Sequence, residues 1–268
     1  MGLRINLAVA LGAALIGCDP GPGFVDAPPE AAPPGGTFSL SWKITDTAGT
    51  PITCDPIGAT NIAIELHSHQ SGNGFTDSFG CGSGTGTSRE LDAGTYDVVY
   101  TLEGRSGTLA SGIQQLNQPI LSAQSTTLDP VTFAVDAEGA LALHVDSHKT
   151  GGNCGTIAKM GAGITGMTLT LQHSPGGCEP LTLTISPGAT QPGGTYVVNC
   201  ASPVVAPCIE NDQKLSAGGV PADHYQIKIR GKIGATDCWA NDDQFDVPPL
   251  GKTLSQTLNL QKLANPGC

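Results

Sequence analysis

Eight consecutive residues set the terms for the whole chain: Phe38, Leu40, Trp42 and Ile44 alternate with Ser39, Ser41, Lys43 and Thr45. Side chains of a strand point to opposite faces in turn, so a period of two over this length predicts a strand with one buried and one solvated face. The signature returns at residues 62–66, 96–102 and 128–135. Between these runs stand Asp-Thr-Ala-Gly (46–49), Asp-Ala-Gly (92–94) and Glu-Gly (103–104), the residues that turns demand. With 37 glycines, 20 prolines and only 4% aromatic residues, the chain reads as an all-β protein rich in turns.

The pattern then repeats. FSLSWKITD is echoed by GALALHVDS at 139–147, and CDPIGATNIAIEL by CGTIAKMGAGITGMTLTL at 154–171. LDAGTYDVVYTLEGRSGTLASG is echoed by LSAGGVPADHYQIKIRGKIGATDC at 215–238, and STTLDPVTF by SQTLNLQKL at 255–263. Two copies of one unit account for 268 residues better than one large domain does. Modules at 37–136 and 139–268 follow, each expected to be a Greek-key sandwich of the immunoglobulin-like or prealbumin-like kind.

In the first module Gly49, Pro51, Gly58, Ala59, Ile62 and Leu66, then Leu91, Gly94, Tyr96 and Val98, fill a recurrent pattern. It resembles that of the carboxypeptidase regulatory-like, or transthyretin-like, β-sandwiches. The chain departs from them by inserting Cys54-Asp-Pro-Ile57 and by a glycine-rich stretch at 79–86. In enzymes such a module accompanies the catalytic unit, so the resemblance implies a fold and no activity.

Residues 1–17 carry Arg4 and then an uncharged apolar run, the layout of a secretory signal peptide. That run is shorter than the roughly 20 residues needed to span a bilayer. Its end, Leu15-Ile16-Gly17-Cys18, resembles the lipobox of bacterial lipoproteins. The resemblance implies cleavage before Cys18, acylation of that cysteine and attachment to a membrane of the cell envelope, with the choice of membrane left open. Residues 18–36 are rich in proline and glycine and lack periodicity. As polyproline II, at about 3.1 Å per residue, they would reach up to roughly 55 Å, which suits a tether.

Nine cysteines without a C-x-x-C pair fit disulfides in an oxidising compartment once Cys18 is set apart. Cys54 and Cys81 are alone in the first module and are expected to pair, closing a loop worth roughly 3 kcal/mol. Six cysteines in the second allow 15 connectivities. The repeat suggests Cys154 with Cys200, leaving Cys178 with Cys208 and Cys238 with Cys268.

Candidate chemistry is sparse. His144, Asp146 and His148 share one face of a strand, a spacing that suits a divalent metal, although a solvated strand end is the favoured reading. His67 and His69 invite the same pair of readings. The segment Asp237-Cys-Trp239-Ala-Asn-Asp-Asp243 could contact calcium or sugar, or be a solvated turn held by Cys238, again the favoured reading. Gly161 to Gly166 matches G-x-G-x-x-G but leads into an alternating, strand-like run, where a dinucleotide site needs a helix. No G-x-S-x-G elbow is present, and no cofactor is expected.

A net charge of −11 makes nucleic acid an unsuitable partner. The sequence therefore points to a membrane-anchored envelope protein, non-catalytic, whose partners are the membrane through its lipid and an envelope protein or glycan. A metal-dependent or carbohydrate-directed role at the strand-end histidines or at Trp239 is the alternative.

Overall fold

The computed structural model describes residues 34–268 except Ser106 and Pro175. The signal peptide, Cys18 and the tether up to Pro33 lie outside the described residues. Eight strands come from the first module: β1 (Thr37–Asp46), β2 (Ala59–Ser68), β3 (Gly74–Gly80), β4 (Thr85–Thr87), β5 (Gly94–Gly104), β6 (Gly107–Ile120), β7 (Ser125–Thr127) and β8 (Val131–Val135). Ten follow in the second: β9 (Glu138–Asp146), β10 (Gly166–His173), β11 (Thr182–Ile185), β12 (Gly194–Val197), β13 (Ala206–Pro207), β14 (Leu215–Pro221), β15 (His224–Ile233), β16 (Thr236–Asp246), β17 (Thr253–Asn259) and β18 (Gln261–Lys262). Two short 3-10 turns interrupt them, and no α-helix occurs among the described residues.

Each module is a sandwich of two sheets. In the first, the order β3-β2-β5-β6 faces a sheet in which β1 carries β4 on one side and β7 and β8 on the other. In the second, β13-β10-β15-β16-β18 faces β12-β11-β14-β9-β17. Phe38, Leu40, Trp42 and Ile44 are all buried, as their alternation requires, and they pack with Ile62, Ile64, Leu66, Val98, Leu102 and Phe133. Leu141, Leu143, Val145, Leu169, Leu171, Ile227, Ile229 and Leu258 form the second core.

Several strand pairings recur in the two sandwiches. β1 runs parallel to β8, with Ile44 opposite Phe133, and β9 runs parallel to β17, with Leu143 opposite Gln256. β2 pairs antiparallel with β5, as β10 does with β15. At the entry to β5 the Tyr96 hydroxyl donates to the Asp92 carbonyl, 3.0 Å away. Near the start of β15 the Tyr225 hydroxyl donates to the Pro221 carbonyl at 2.9 Å. In both cases a tyrosine ties its own strand back to the corner four residues earlier, the device of a tyrosine corner.

The disulfides bond Cys54 to Cys81, Cys154 to Cys208, Cys178 to Cys200 and Cys238 to Cys268. Two of these correct the sequence expectation, which joined Cys154 to Cys200 and Cys178 to Cys208. The cause is an insertion. Cys81 directly follows β3, the strand at the edge of β2, and Cys208 directly follows β13, the strand at the edge of β10. Cys208 is thus the counterpart of Cys81. The added β11–β12 hairpin between β10 and β13 stretches the loop closed by the bond from 27 to 54 residues, and Cys178–Cys200 ties the neck of that hairpin.

Pro34 to Cys268 form one compact unit. Where the chain passes from β8 to β9, the Ala222 amide donates to the Ala137 carbonyl at 2.7 Å and the Leu250 amide to the Asp136 carbonyl at 2.9 Å. Ala222, though part of the second module, is buried against the core of the first.

Candidate functional site

Strand directions place the loops. β9 leaves the junction between the modules at Glu138 and ends at Asp146, while β10 begins beside Lys232 and returns to His173. Residues 147–165, the β15–β16 turn and residues 260–268 therefore lie together at the end of the second module away from the junction. Residues 147–165 form a connection longer than compact domains usually carry without a use for it.

This loop is rigid for identifiable reasons. Asn153 is fully buried: its side-chain nitrogen donates to the carbonyls of Val145 (2.7 Å) and Ile209 (2.9 Å), and its side-chain oxygen accepts from the Ser147 amide (2.8 Å). The buried Glu210 carboxylate accepts from the amides of Asn153 (2.8 Å) and Cys154 (3.2 Å). Gln213 accepts from the Glu210 amide and donates to the carbonyls of Ser186 and Pro192. Buried polar side chains that satisfy each other in this way fix geometry. The backbone is equally tight, since a Cβ at Gly155 would stand 1.9 Å from the Gly151 carbonyl oxygen.

What the rigid loop presents is apolar. Ile157 is 63% exposed and Met160 is 70% exposed, beside a cleft of about 430 Å³ that His148, Lys149, Trp239 and Lys262 also line. Trp239 is only 4% exposed. Its indole nitrogen donates to the Ala162 carbonyl at 3.1 Å, and the Lys149 ammonium stands 5.8 Å from its ring centre.

The sequence candidates fare differently. His144, Asp146 and His148 do not converge: no group of three or more potential ligands capable of holding a metal exists among the described residues. β9 stops at Asp146, and His148 takes a positive φ of 55°, so alternation no longer governs where it points. Asp146 instead accepts the His148 amide at 2.8 Å and lies 3.3 Å from its ring. His67 and His69 pair separately with Glu65 and Asp97. The Trp239 segment is no turn but the strand β16, and its carboxylates are dispersed: Asp237 to Lys232, Asp242 to Arg230, Asp243 to Gln256. An open calcium or sugar loop is thereby corrected, although His148 and Trp239, read separately in the sequence, do line one cleft. Gly161 to Gly166 leads into β10, a strand.

A second cluster, unforeseen in the sequence, lies at the junction. His224 bonds Asp246 through Nδ1 and approaches Asp55 of the first module to 3.5 Å through Nε2. Arg105 of the first module stands 3.6 Å from both Asp55 and Asp246. Next to it His173 is held between Asp223 (2.7 Å) and Glu179 (2.8 Å), with its ring 4.8 Å from that of Tyr225. The bond to Asp246 raises the His224 pKa; burial opposes it, but the charge of Asp246 and smaller contributions from Asp55 add to the bond and leave the pKa raised. For His173 burial pulls the pKa down, but the bonds to Asp223 and Glu179 together outweigh it and leave it raised. The only local hint was the Asp223-His224 step in a chain with six histidines.

A histidine whose folded pKa exceeds its ordinary value of 6.5 contributes stability that is complete below 6.5 and is lost as pH rises through the raised value. The urea midpoint is therefore expected to fall as pH rises above 6.5 and through the raised values, and His173→Gln with His224→Gln to flatten that fall. An equally steep fall in the double variant would show that other groups set it.

No family model matches the chain, and no curated protein matches it. Among solved structures, the Bacillus anthracis TIE protein aligns over 84% of this chain and 34% of its own, at 13% identity and a TM-score of 0.35; the chain thus spans about a third of that protein's length. The minor pilin GBS52 of Streptococcus agalactiae aligns over 87% of this chain and 98% of its own (11% identity, TM-score 0.28). The shaft pilin SpaA of Lactobacillus rhamnosus GG aligns over 86% and 99% (9% identity, TM-score 0.29). Likeness at this level carries no argument about function, and the β-sandwich architecture rests on the sheets themselves.

Proposed function

We propose that the chain is a lipid-anchored protein of the bacterial cell envelope, which displays two disulfide-stapled sandwiches on a proline-rich tether and serves a binding or structural role without catalysis. One observation carries the reading. All eight described cysteines are bonded to one another, so none of them is left to bond Cys18, the ninth. That supports its assignment by the Leu15-Ile16-Gly17-Cys18 box to acylation, and two or three acyl chains hold a protein to a bilayer stably. On this reading the modules group with the carboxypeptidase regulatory-like sandwiches, which accompany catalysis rather than perform it; Tyr96 and its counterpart Tyr225, each tied to its own corner, support that grouping.

Expression in a bacterial host fed labelled palmitate tests the anchor. The chain is expected to incorporate label and to partition into a detergent phase, and Cys18→Ala to do neither. An N-terminal peptide with unmodified Cys18, recovered from intact cells by mass spectrometry, would overturn the proposal.

A further inference from the structure

We infer that the cleft at the far end of the second module is a docking site for an acidic segment of a partner protein, one that places an apolar side chain against Ile157 and Met160. The inference goes beyond the envelope reading and rests on it only in taking this end as the free one. The chain enters the first module at the opposite extremity, where Gly36 bonds Leu91 and Thr37 bonds Gln124.

Three observations converge on the occupant. First, the site is preorganised. Asn153, Glu210, Cys154–Cys208 and the close-packed glycines order residues 147–165 before any partner arrives, so binding need not supply that ordering. Second, two large apolar side chains are held in water by a loop with no freedom to hide them. Methionine is the residue that adapts its shape to an incoming group, and exposed apolar surface beside a cleft marks an interaction site. Third, the local charge opposes that of the molecule. In a chain of net charge −11 with 12 Lys and Arg, exposed Lys149, Lys159 and Lys262 gather here, and none is ion-paired among the described residues. Two of the nearby carboxylates are engaged, Asp146 with His148 and Asp237 with Lys232. Complementarity therefore calls for carboxylates on the partner.

The same surface disfavours a glycan. Trp239 is buried and has Lys149 over its ring, so no open aromatic face is offered to a sugar. What is offered is aliphatic and cationic, which an acidic peptide with a Leu, Phe or Met anchor matches. A long nucleic acid would meet the repulsion of the whole molecule.

The test is selection from a phage-displayed random peptide library on the full chain in detergent micelles. Selected peptides are expected to carry an apolar anchor flanked by Asp or Glu and to bind more weakly as salt rises. Ile157→Asp and Met160→Asp, both at exposed positions, are each expected to weaken binding at least about tenfold, as is Lys149→Glu with Lys262→Glu. An unchanged thermal midpoint shows that each variant is folded. Peptides that lack acidic residues, or that bind these variants as well as the parent, would overturn the inference, as would a library yielding no peptide sensitive to both kinds of change. So would polygalacturonate binding that depends on the lysines but not on Ile157 or Met160, which would identify a glycan. Self-association in sedimentation abolished by Met160→Asp would identify a second copy instead.

Discussion

Replacing Asn153 by alanine is expected to cost about 3 kcal/mol of stability, at about 1 kcal/mol for each lost side-chain hydrogen bond. Three such bonds go: two donated to the carbonyls of Val145 and Ile209, and one accepted from the Ser147 amide. The site is fully buried, so water cannot readily take over from the missing amide, and the Ser147 donor is left unpaired. The loss concentrates on residues 147–165, because Val145 is the last residue but one of β9, below that loop, and Ile209 adjoins Cys208, its covalent staple. Asn153→Asp is expected to be worse. It keeps an acceptor for Ser147 but donates nothing, and it sets a second carboxylate beside the buried Glu210. Urea unfolding gives the magnitude, and hydrogen exchange at the Gly151 and Ala162 amides, which bond to Met160 and Gly152 across the loop, shows where it falls. A change of under about 0.5 kcal/mol, the usual range for surface substitutions, would mean that the loop is held by other means.

Much of the fold was legible because burial in a sandwich is dictated locally. Phe38, Leu40, Trp42 and Ile44 need only each other's spacing to declare a face, and the echo of that spacing in Leu141, Leu143 and Val145 declares a second core. Pairings across long separations were less legible. The repeat identified the right kind of staple, but the β11–β12 hairpin added another cysteine pair and moved Cys208 away in sequence from the place it keeps in space. Asp242 and Asp243 read as turn residues, yet they occupy a strand whose outer face is polar: Lys228 lies opposite Asp242 across the ladder, and Arg230 bonds it. The far-end site was half visible. His148 and Trp239 stood out by residue type, whereas Asn153 and Glu210 lie 57 positions apart and neither is unusual by itself. Ile157 and Met160 gain meaning only through exposure, which no residue type announces.

A charge introduced at the junction is expected to separate what the far end does from how the modules are joined. Ala222 is 4% exposed and packs into the core of the first module, and its amide donates to Ala137 at 2.7 Å. Ala222→Asp would bury a carboxylate with no cation placed to meet it, since Arg105 is already engaged by Asp55 and Asp246. Desolvating an unpaired charge costs more than a contact of this kind can return, so parting the surfaces is the cheaper outcome. The penalty is then capped by what holds the junction: two backbone hydrogen bonds, the apolar contacts of Ala222 and Leu250, and partly exposed ion pairs worth little each. A cost of about 3 kcal/mol follows, on the scale of a large point mutation. Calorimetry is expected to show one cooperative transition for the parent chain and two for Ala222→Asp, the lower belonging to the first module, which loses part of its core cover. Ala222→Ser, which adds a hydroxyl and no charge, is expected to keep the single transition. Two transitions already present in the parent would show that the modules fold independently, with the junction an incidental contact. The two variants should also part company in binding: Asn153→Ala lies under the cleft and is expected to abolish peptide capture, whereas Ala222→Asp acts at the opposite end of β9 and is expected to spare it. A loss of capture in both would mean that the far end depends on the union of the two sandwiches rather than on its own buried network.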